Sequence, residues 1–167
     1  MLKSSEVKLT KNLALLIGKW SGTGKGGFPT IESFDYEEEL IFESDGIGDV
    51  IHYFQRTWHK TPDLPRSNPI HSESGFIRLL KDEKFELVNS QNSGRVEIMQ
   101  GKILSAHEDE LNLFFESTAY NNDPRMVRSA REFCVTKDKL SYIVDMATDK
   151  VPEMQIHLEA DLKKIIR

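Results

Sequence analysis

Apolar residues recur at helical spacing only once along this chain, at Leu9, Leu13 and Leu16, with Gly18 placed as a stop. The spacing predicts a short helix over Leu9–Ile17. So short a helix must pack against something else to persist, and it would plug one end of whatever follows it. From Gly18 onward the period changes to two. In Ile31–Glu43, Phe34, Tyr36, Leu40 and Phe42 share one face while Ser33, Asp35, Glu37 and Glu39 take the other. Glu38 is the odd member on the apolar side. Further extended segments are predicted over Asp49–Trp58, Ile70–Lys81, Lys84–Gln91, Arg95–Ile103, Glu110–Thr118, Met126–Thr136, Lys139–Ala147 and Met154–Leu162. Turn chemistry separates them: Asp45-Gly46, Asn92-Ser93-Gly94, the cluster Tyr120–Arg125, Lys137-Asp138 and Thr148–Glu153. His59–Pro69, with Pro62, Pro65 and Pro69, is the one long loop, and prolines exclude a central strand there.

Counting the glycine-rich Gly18–Ile31, this makes about ten short strands joined mostly by tight turns, which is the pattern of an antiparallel meander. So many strands in one small domain close on themselves, because closure removes exposed edges. The expected fold is all-β, a ten-stranded antiparallel barrel of lipocalin or fatty-acid-binding-protein type with a short N-terminal helix. A two-sheet sandwich is the fallback. Eight strands already leave room for a small ligand, and ten leave more.

Composition narrows the class. The 167 residues fit one domain with a core that needs no staples, and the single Cys134 cannot form an internal disulfide. A net charge of −5 with both signs interspersed argues against nucleic acid. No apolar run approaches the roughly 20 residues of a membrane helix, and Met1–Asn12 lacks the apolar core of a signal peptide, so a soluble cytoplasmic protein is expected, with the nucleus as the alternative compartment.

The stretch GKWSGTGKGGFPTI concentrates five glycines around Trp20. A phosphate-cradling loop would need Lys then Ser or Thr after its last glycine, and Gly27 is followed by Phe28-Pro29. A bent strand, or a close approach of backbone or ligand, remains. None of the five histidines, His52, His59, His71, His107 and His157, stands in a helical metal motif, and no second cysteine completes a zinc site. A multi-histidine centre assembled in three dimensions stays open. His71 and Glu73 share a strand face, where they would either form a half-exposed polar patch or reach a cavity together. In MQIHLEADL, alternation puts Met154, Ile156, Leu158, Ala160 and Leu162 on one face and His157 with Gln155, Glu159 and Asp161 on the other. Strict alternation therefore exposes His157 to solvent if the apolar face is the inner one.

GKWSGTGKGGFPTI, HSESGFIR, ELVNSQNSGRVEIMQG and LSYIVDMAT…IHLEADL together, in this order, resemble the nitrobindin family, a haem-binding β-barrel domain also found at the C-terminus of a THAP-type protein. The resemblance runs from Gly18 to Leu162, with the GxWxGxG signature intact at Gly18, Trp20, Gly22 and Gly24. It implies one haem b per chain, with His157 as proximal iron ligand. It implies Thr30, His71 and the basic Arg125 near the haem, and Trp20, Gly22 and Gly24 of the signature strand among the cofactor-binding residues, the glycines letting that strand pass close to the macrocycle. Where the family usually has Tyr this chain has Phe28, and where it often has an aromatic it has Ile77. The resemblance also implies binding of nitric oxide and isomerisation of peroxynitrite to nitrate, in a monomer or weak homodimer. The rivals are a non-catalytic carrier of a fatty acid, which would hold its ligand's carboxylate with strand arginines such as Arg56, Arg78, Arg128 or Arg131, and a haem-based nitric oxide sensor.

Overall fold

The structure is a computed structural model that describes residues 13–44, 49–61, 66 and 68–165. Ten strands account for most of it: β1 Gly18–Phe28, β2 Ile31–Ser44, β3 Val50–His59, β4 His71–Leu79, β5 Phe85–Gln91, β6 Val96–His107, β7 Glu110–Asn121, β8 Met126–Thr136, β9 Lys139–Thr148 and β10 Gln155–Lys164. Every neighbouring pair is antiparallel, and β10 pairs with β1 to close the ring. The two-residue periodicity in the sequence is the direct cause, since one face of each strand must be buried.

The helix expected over Leu9–Ile17 is not supported. Residues 9–12 lie outside the described residues. From Leu13 to Ile17 the chain makes successive turns, with Leu16 N–H donating to the Leu13 carbonyl at 3.0 Å and Ile17 N–H to Ala14 at 3.2 Å. The helical spacing arises because the same two leucines, Leu13 and Leu16, are buried in the barrel's end, and the Trp20 indole N–H donates back to the Leu16 carbonyl at 2.8 Å.

In an up-and-down barrel alternate connections fall at opposite ends. The turn segment 13–17 and the β2–β3, β4–β5, β6–β7 and β8–β9 connections lie at one end; the β1–β2, β3–β4, β5–β6, β7–β8 and β9–β10 connections lie at the other. The first end is packed solid with Leu13, Leu16, Trp20, Phe42, Phe85, Leu111, Phe115, Leu140 and Leu162. The second is open. Between them lies a buried polar layer. Tyr142 on β9 donates to Glu38 on β2, which also accepts from Gln55 at 2.7 Å, and the Tyr142 and Tyr36 hydroxyls are 2.9 Å apart. Arg131 on β8 bridges Glu73 on β4 and Glu97 on β6 across the interior. These side chains are the floor of the cavity above them.

Candidate functional site

Above that floor opens a cavity of about 700 Å³, within the range of roughly 300–1,000 Å³ of small-molecule sites. Its upper wall is largely apolar, with Phe28, Ile31, Phe34, Met126, Met146 and Leu158. Its rim is built from the open-end connections and carries Thr30, His71, Arg95, Arg125 and Lys150.

His157 enters this cavity through an irregularity that alternation does not show. β10 pairs Ile156 with Asp145 and then Leu158 with Val144, leaving His157 as an extra residue in the ladder. A β-bulge of this kind re-aims a side chain. Below it, Leu158, Ala160 and Leu162 face inward; above it the parity inverts, so His157 joins Leu158 on the cavity wall and Ile156 is 57% exposed. The expectation of a solvent-facing His157 is corrected on this ground.

A second bulge lies opposite the first. β1 shifts register against β2 between Gly26 and Phe28. The Gly27 carbonyl accepts from His157 Nδ1 at 3.0 Å. A carbonyl can only accept, so Nδ1 carries the proton and Nε2 carries the lone pair. Burial lowers the His157 pKa below its ordinary value; the Gly27 bond works against this, and the positive fields of Arg95 and His71 add to it. The ring is thus held neutral, in one tautomer, as a metal-ligating imidazole must be. Phe28 packs edge-on against it, ring centres 5.9 Å apart.

The other residues singled out in the sequence divide. Thr30, His71 and Arg125 line the cavity with His157. Arg125 does so from an exposed rim position, where it is paired to Asp123 at 2.9 Å. His71 Nε2–H donates to the Glu73 carboxylate at 3.1 Å, so that nitrogen is engaged. Trp20, Gly22 and Gly24 do not line the cavity. Trp20 is fully buried in the closed end. A Cβ on Gly24 would lie 2.3 Å from the Tyr36 ring, and one on Gly26 would lie 2.3 Å from Phe34. These two glycines therefore seat aromatic rings of β2 that line the cavity, rather than opening the strand to a ligand directly. No group of three or more histidine, cysteine or acidic side chains converges as a metal site among the described residues, so the multi-histidine alternative has no cluster there to rest on.

Glu38 faces inward as its parity requires, and it is wholly buried. Burial raises its pKa to about 7, against the opposing hydrogen bonds from Tyr142 and Gln55. Burial also raises that of Glu73, but the Arg131 guanidinium and His71 outweigh it, and Glu73 ends well below the ordinary carboxylate value. The sequence marked both residues by parity alone. It missed Gln91 and Arg95 on the cavity wall, although Gln91 shares its parity with Leu87.

The lone pair on Nε2, the flat apolar walls and the open end fit a planar macrocycle whose metal takes one imidazole. Comparisons with known proteins agree. A family model described as a THAP4-like, heme-binding beta-barrel domain matches residues 10–164. A protein of Arabidopsis thaliana named as a peroxynitrite isomerase is 39% identical over 153 residues, 92% of this chain and 87% of its own. A peroxynitrite isomerase of Nocardia farcinica is 36% identical over 91% of this chain and 88% of its own. A ferric nitrobindin-like protein of Streptomyces griseus is 29% identical over 92% of this chain and 80% of its own. The crystal structure of Rv2717c from M. tuberculosis superimposes with a TM-score of 0.84 at 28% identity, covering 95% of this chain and 98% of that one.

Proposed function

The chain belongs to the THAP4-like haem-binding β-barrel family, and we propose that it holds one ferric haem b on His157 and isomerises peroxynitrite to nitrate, with nitric oxide as a second ligand of the same position. One observation carries the reading: the Nδ1–H···O=C bond to Gly27, which presents Nε2 of a half-buried, neutral imidazole to a cavity of the right size.

When bound on His157, such a haem would supply a Lewis-acidic iron able to polarise the peroxide bond of peroxynitrite. The protein's part is positional. Gly27 fixes the ring orientation and raises the basicity of Nε2. Phe28 braces the ring without a hydroxyl to compete for it. The apolar side chains of Phe34, Val144, Met146 and Leu158 line the cavity and would exclude water from a bound macrocycle. The polar layer places Gln55, Glu73, Arg131 and Tyr142 on the cavity lining, between the apolar upper wall and the apolar residues Leu40, Phe42, Ile77 and Leu87.

That floor also weighs against the fatty-acid carrier. Arg56, Arg78 and Arg128 point outward and are exposed. Arg131 alone of those four points inward, and its charge is already met by Glu73 and Glu97. An acyl carboxylate arriving there would face two carboxylates and one cation.

Haemin titration of the purified protein, followed at the Soret band beside His157→Ala, tests the reading. Saturation at one haem per chain with a histidine-ligated ferric spectrum, lost in the variant, is expected. Equal binding by both proteins would refute it. Peroxynitrite decay with the loaded protein then separates the isomerase from the sensor: decay no faster than with free haemin would leave only nitric oxide binding.

A further inference from the structure

The proposed function leaves unused two donors on the side of the cavity formed by β5 and β6. Gln91 ends β5 on the inward parity of Leu87 and Asn89 and is only 7% exposed, yet its Nε2 has no hydrogen-bond partner. Arg95, four residues on, also lines the cavity, and its Nε is likewise buried without a partner. The Gln91 N–H donates to the Arg95 carbonyl at 2.9 Å, so the hairpin neck holds both side chains together. Buried donors without acceptors are costly and call for a ligand.

We propose that Gln91 and Arg95 form an oxyanion subsite at the mouth of the cavity. A planar oxyanion, nitrate or carboxylate, takes one N–H from each. The surrounding charge fixes its level. The rim sets three cations, Arg95, Arg125 and Lys150, against two carboxylates, Asp123 and Asp149. The floor sets one cation, Arg131, against the carboxylates of Glu73 and Glu97. An anion is therefore repelled from the floor and retained at the mouth. Two carboxylates stand near the pair and both are already engaged: Asp123, 3.8 Å from Arg95 Nη1, by Arg125 at 2.9 and 3.1 Å, and Glu73, the cross-strand neighbour of Gln91, by Arg131.

This oxyanion has two sources: a free ion such as nitrate, the product under the proposed function, or a carboxylate carried on the macrocycle edge. The inference takes only the identity of these anions from that function. The test uses unliganded protein first. Side-chain ¹⁵N–¹H signals of Gln91 and of the Arg95 Nε–H are followed during nitrate titration at fixed ionic strength, in wild type, Gln91→Glu and Arg95→Lys. Gln91→Glu keeps the shape and reverses the hydrogen-bonding role; Arg95→Lys keeps the charge and removes the Nε–H. Saturable shifts at both signals, weakened about tenfold or more in either variant, identify the free ion. A second arm compares haemin with its dimethyl ester. Weakened haemin binding in the variants, with ester binding unchanged, identifies the macrocycle carboxylate. If neither nitrate shifts nor a haemin-specific loss is seen in variants that keep wild-type near-ultraviolet circular dichroism, the subsite does not exist. Failure of wild type to bind haemin would overturn the proposed function, while the nitrate arm would still decide this one.

Discussion

Replacing Glu38 by Gln should make the barrel's stability less sensitive to rising pH. Glu38 is wholly buried, and its carboxyl pKa stands at about 7 when folded, against 4.5 when unfolded. The sign follows from which state loses its proton first. Between those two values the unfolded chain has released its proton while the folded one retains it, so unfolding is favoured increasingly as pH rises. The difference of 2.5 units, at 1.36 kcal/mol per unit, amounts to about 3 kcal/mol once pH exceeds 7. Part of this penalty is already present at pH 5, so about 2–3 kcal/mol develops between pH 5 and pH 8. The amide introduced by Glu38→Gln is shaped like the protonated acid and can keep both partners, because the Tyr142 hydroxyl can turn to accept from it and Gln55 can continue to donate. It carries no proton to lose. Glu73 works in the opposite sense, its folded pKa being depressed, but it is ionised throughout this range in both proteins and cancels from their difference. Urea unfolding of both proteins at pH 5 and pH 8 gives the test. Wild type should lose stability relative to the variant by about 2–3 kcal/mol on going to pH 8. A difference that is flat with pH, or that grows in favour of wild type, would refute the reasoning.

Further predictions concern the rest of the interior. Gly24→Ala drives a methyl group into the Tyr36 ring and the Glu159 carbonyl; it should lower stability by about 1–3 kcal/mol or more, read from the thermal midpoint. Arg131→Met leaves Glu73 and Glu97 buried without their cation and should cost about 3–5 kcal/mol by urea unfolding, a loss that Glu73→Gln and Glu97→Gln added to it should partly restore. Haemin affinity should hold level as pH falls through 6.5 and weaken only below it, because the folded pKa of His157 lies under its unfolded value and the ligating imidazole stays neutral to lower pH. An affinity that already halves above pH 6.5 would contradict that assignment.

Most of the barrel was legible because alternation is a strong signal when one face is buried. Phe34, Tyr36, Leu40 and Phe42 of β2 face inward as their spacing requires. Glu38, the acidic residue that broke this run, also obeys parity and is buried for it. The N-terminal segment misled for a related reason. Leu13 and Leu16 are three apart because a turn brings both onto the closed end, and three-residue spacing reads as helix when only the sequence is seen. The glycines were expected at a bend or a close approach, and Gly24 and Gly26 stand against aromatic rings of β2. Nothing in the sequence of β1 says that Gly24 and Gly26 will stand opposite Tyr36 and Phe34, because that depends on cross-strand register.

His157 shows most sharply where pattern stops. Alternation on β10 is intact from Leu158 to Leu162, and extending it backwards by one residue turns His157 outward. The single extra residue at the bulge reverses this. Its consequence is not local to β10: the β1–β2 ladder also shifts register beside Gly27, and the Gly27 carbonyl is the acceptor that fixes the imidazole. The two irregularities lie in strands at opposite ends of the sequence and are meaningful only together. The shift beside Gly27, where β2 carries the extra residue between Phe34 and Ile31, would alone leave a carbonyl without its imidazole donor, and the bulge at His157 alone would leave the imidazole free to rotate. Paired, they hold one nitrogen and present the other, which is what a metal ligand requires. The family resemblance pointed to His157 because it rests on a motif and not on the alternation of one strand. The periodicity of a single strand cannot contain this pairing, since the information resides in the contact between β1 and β10.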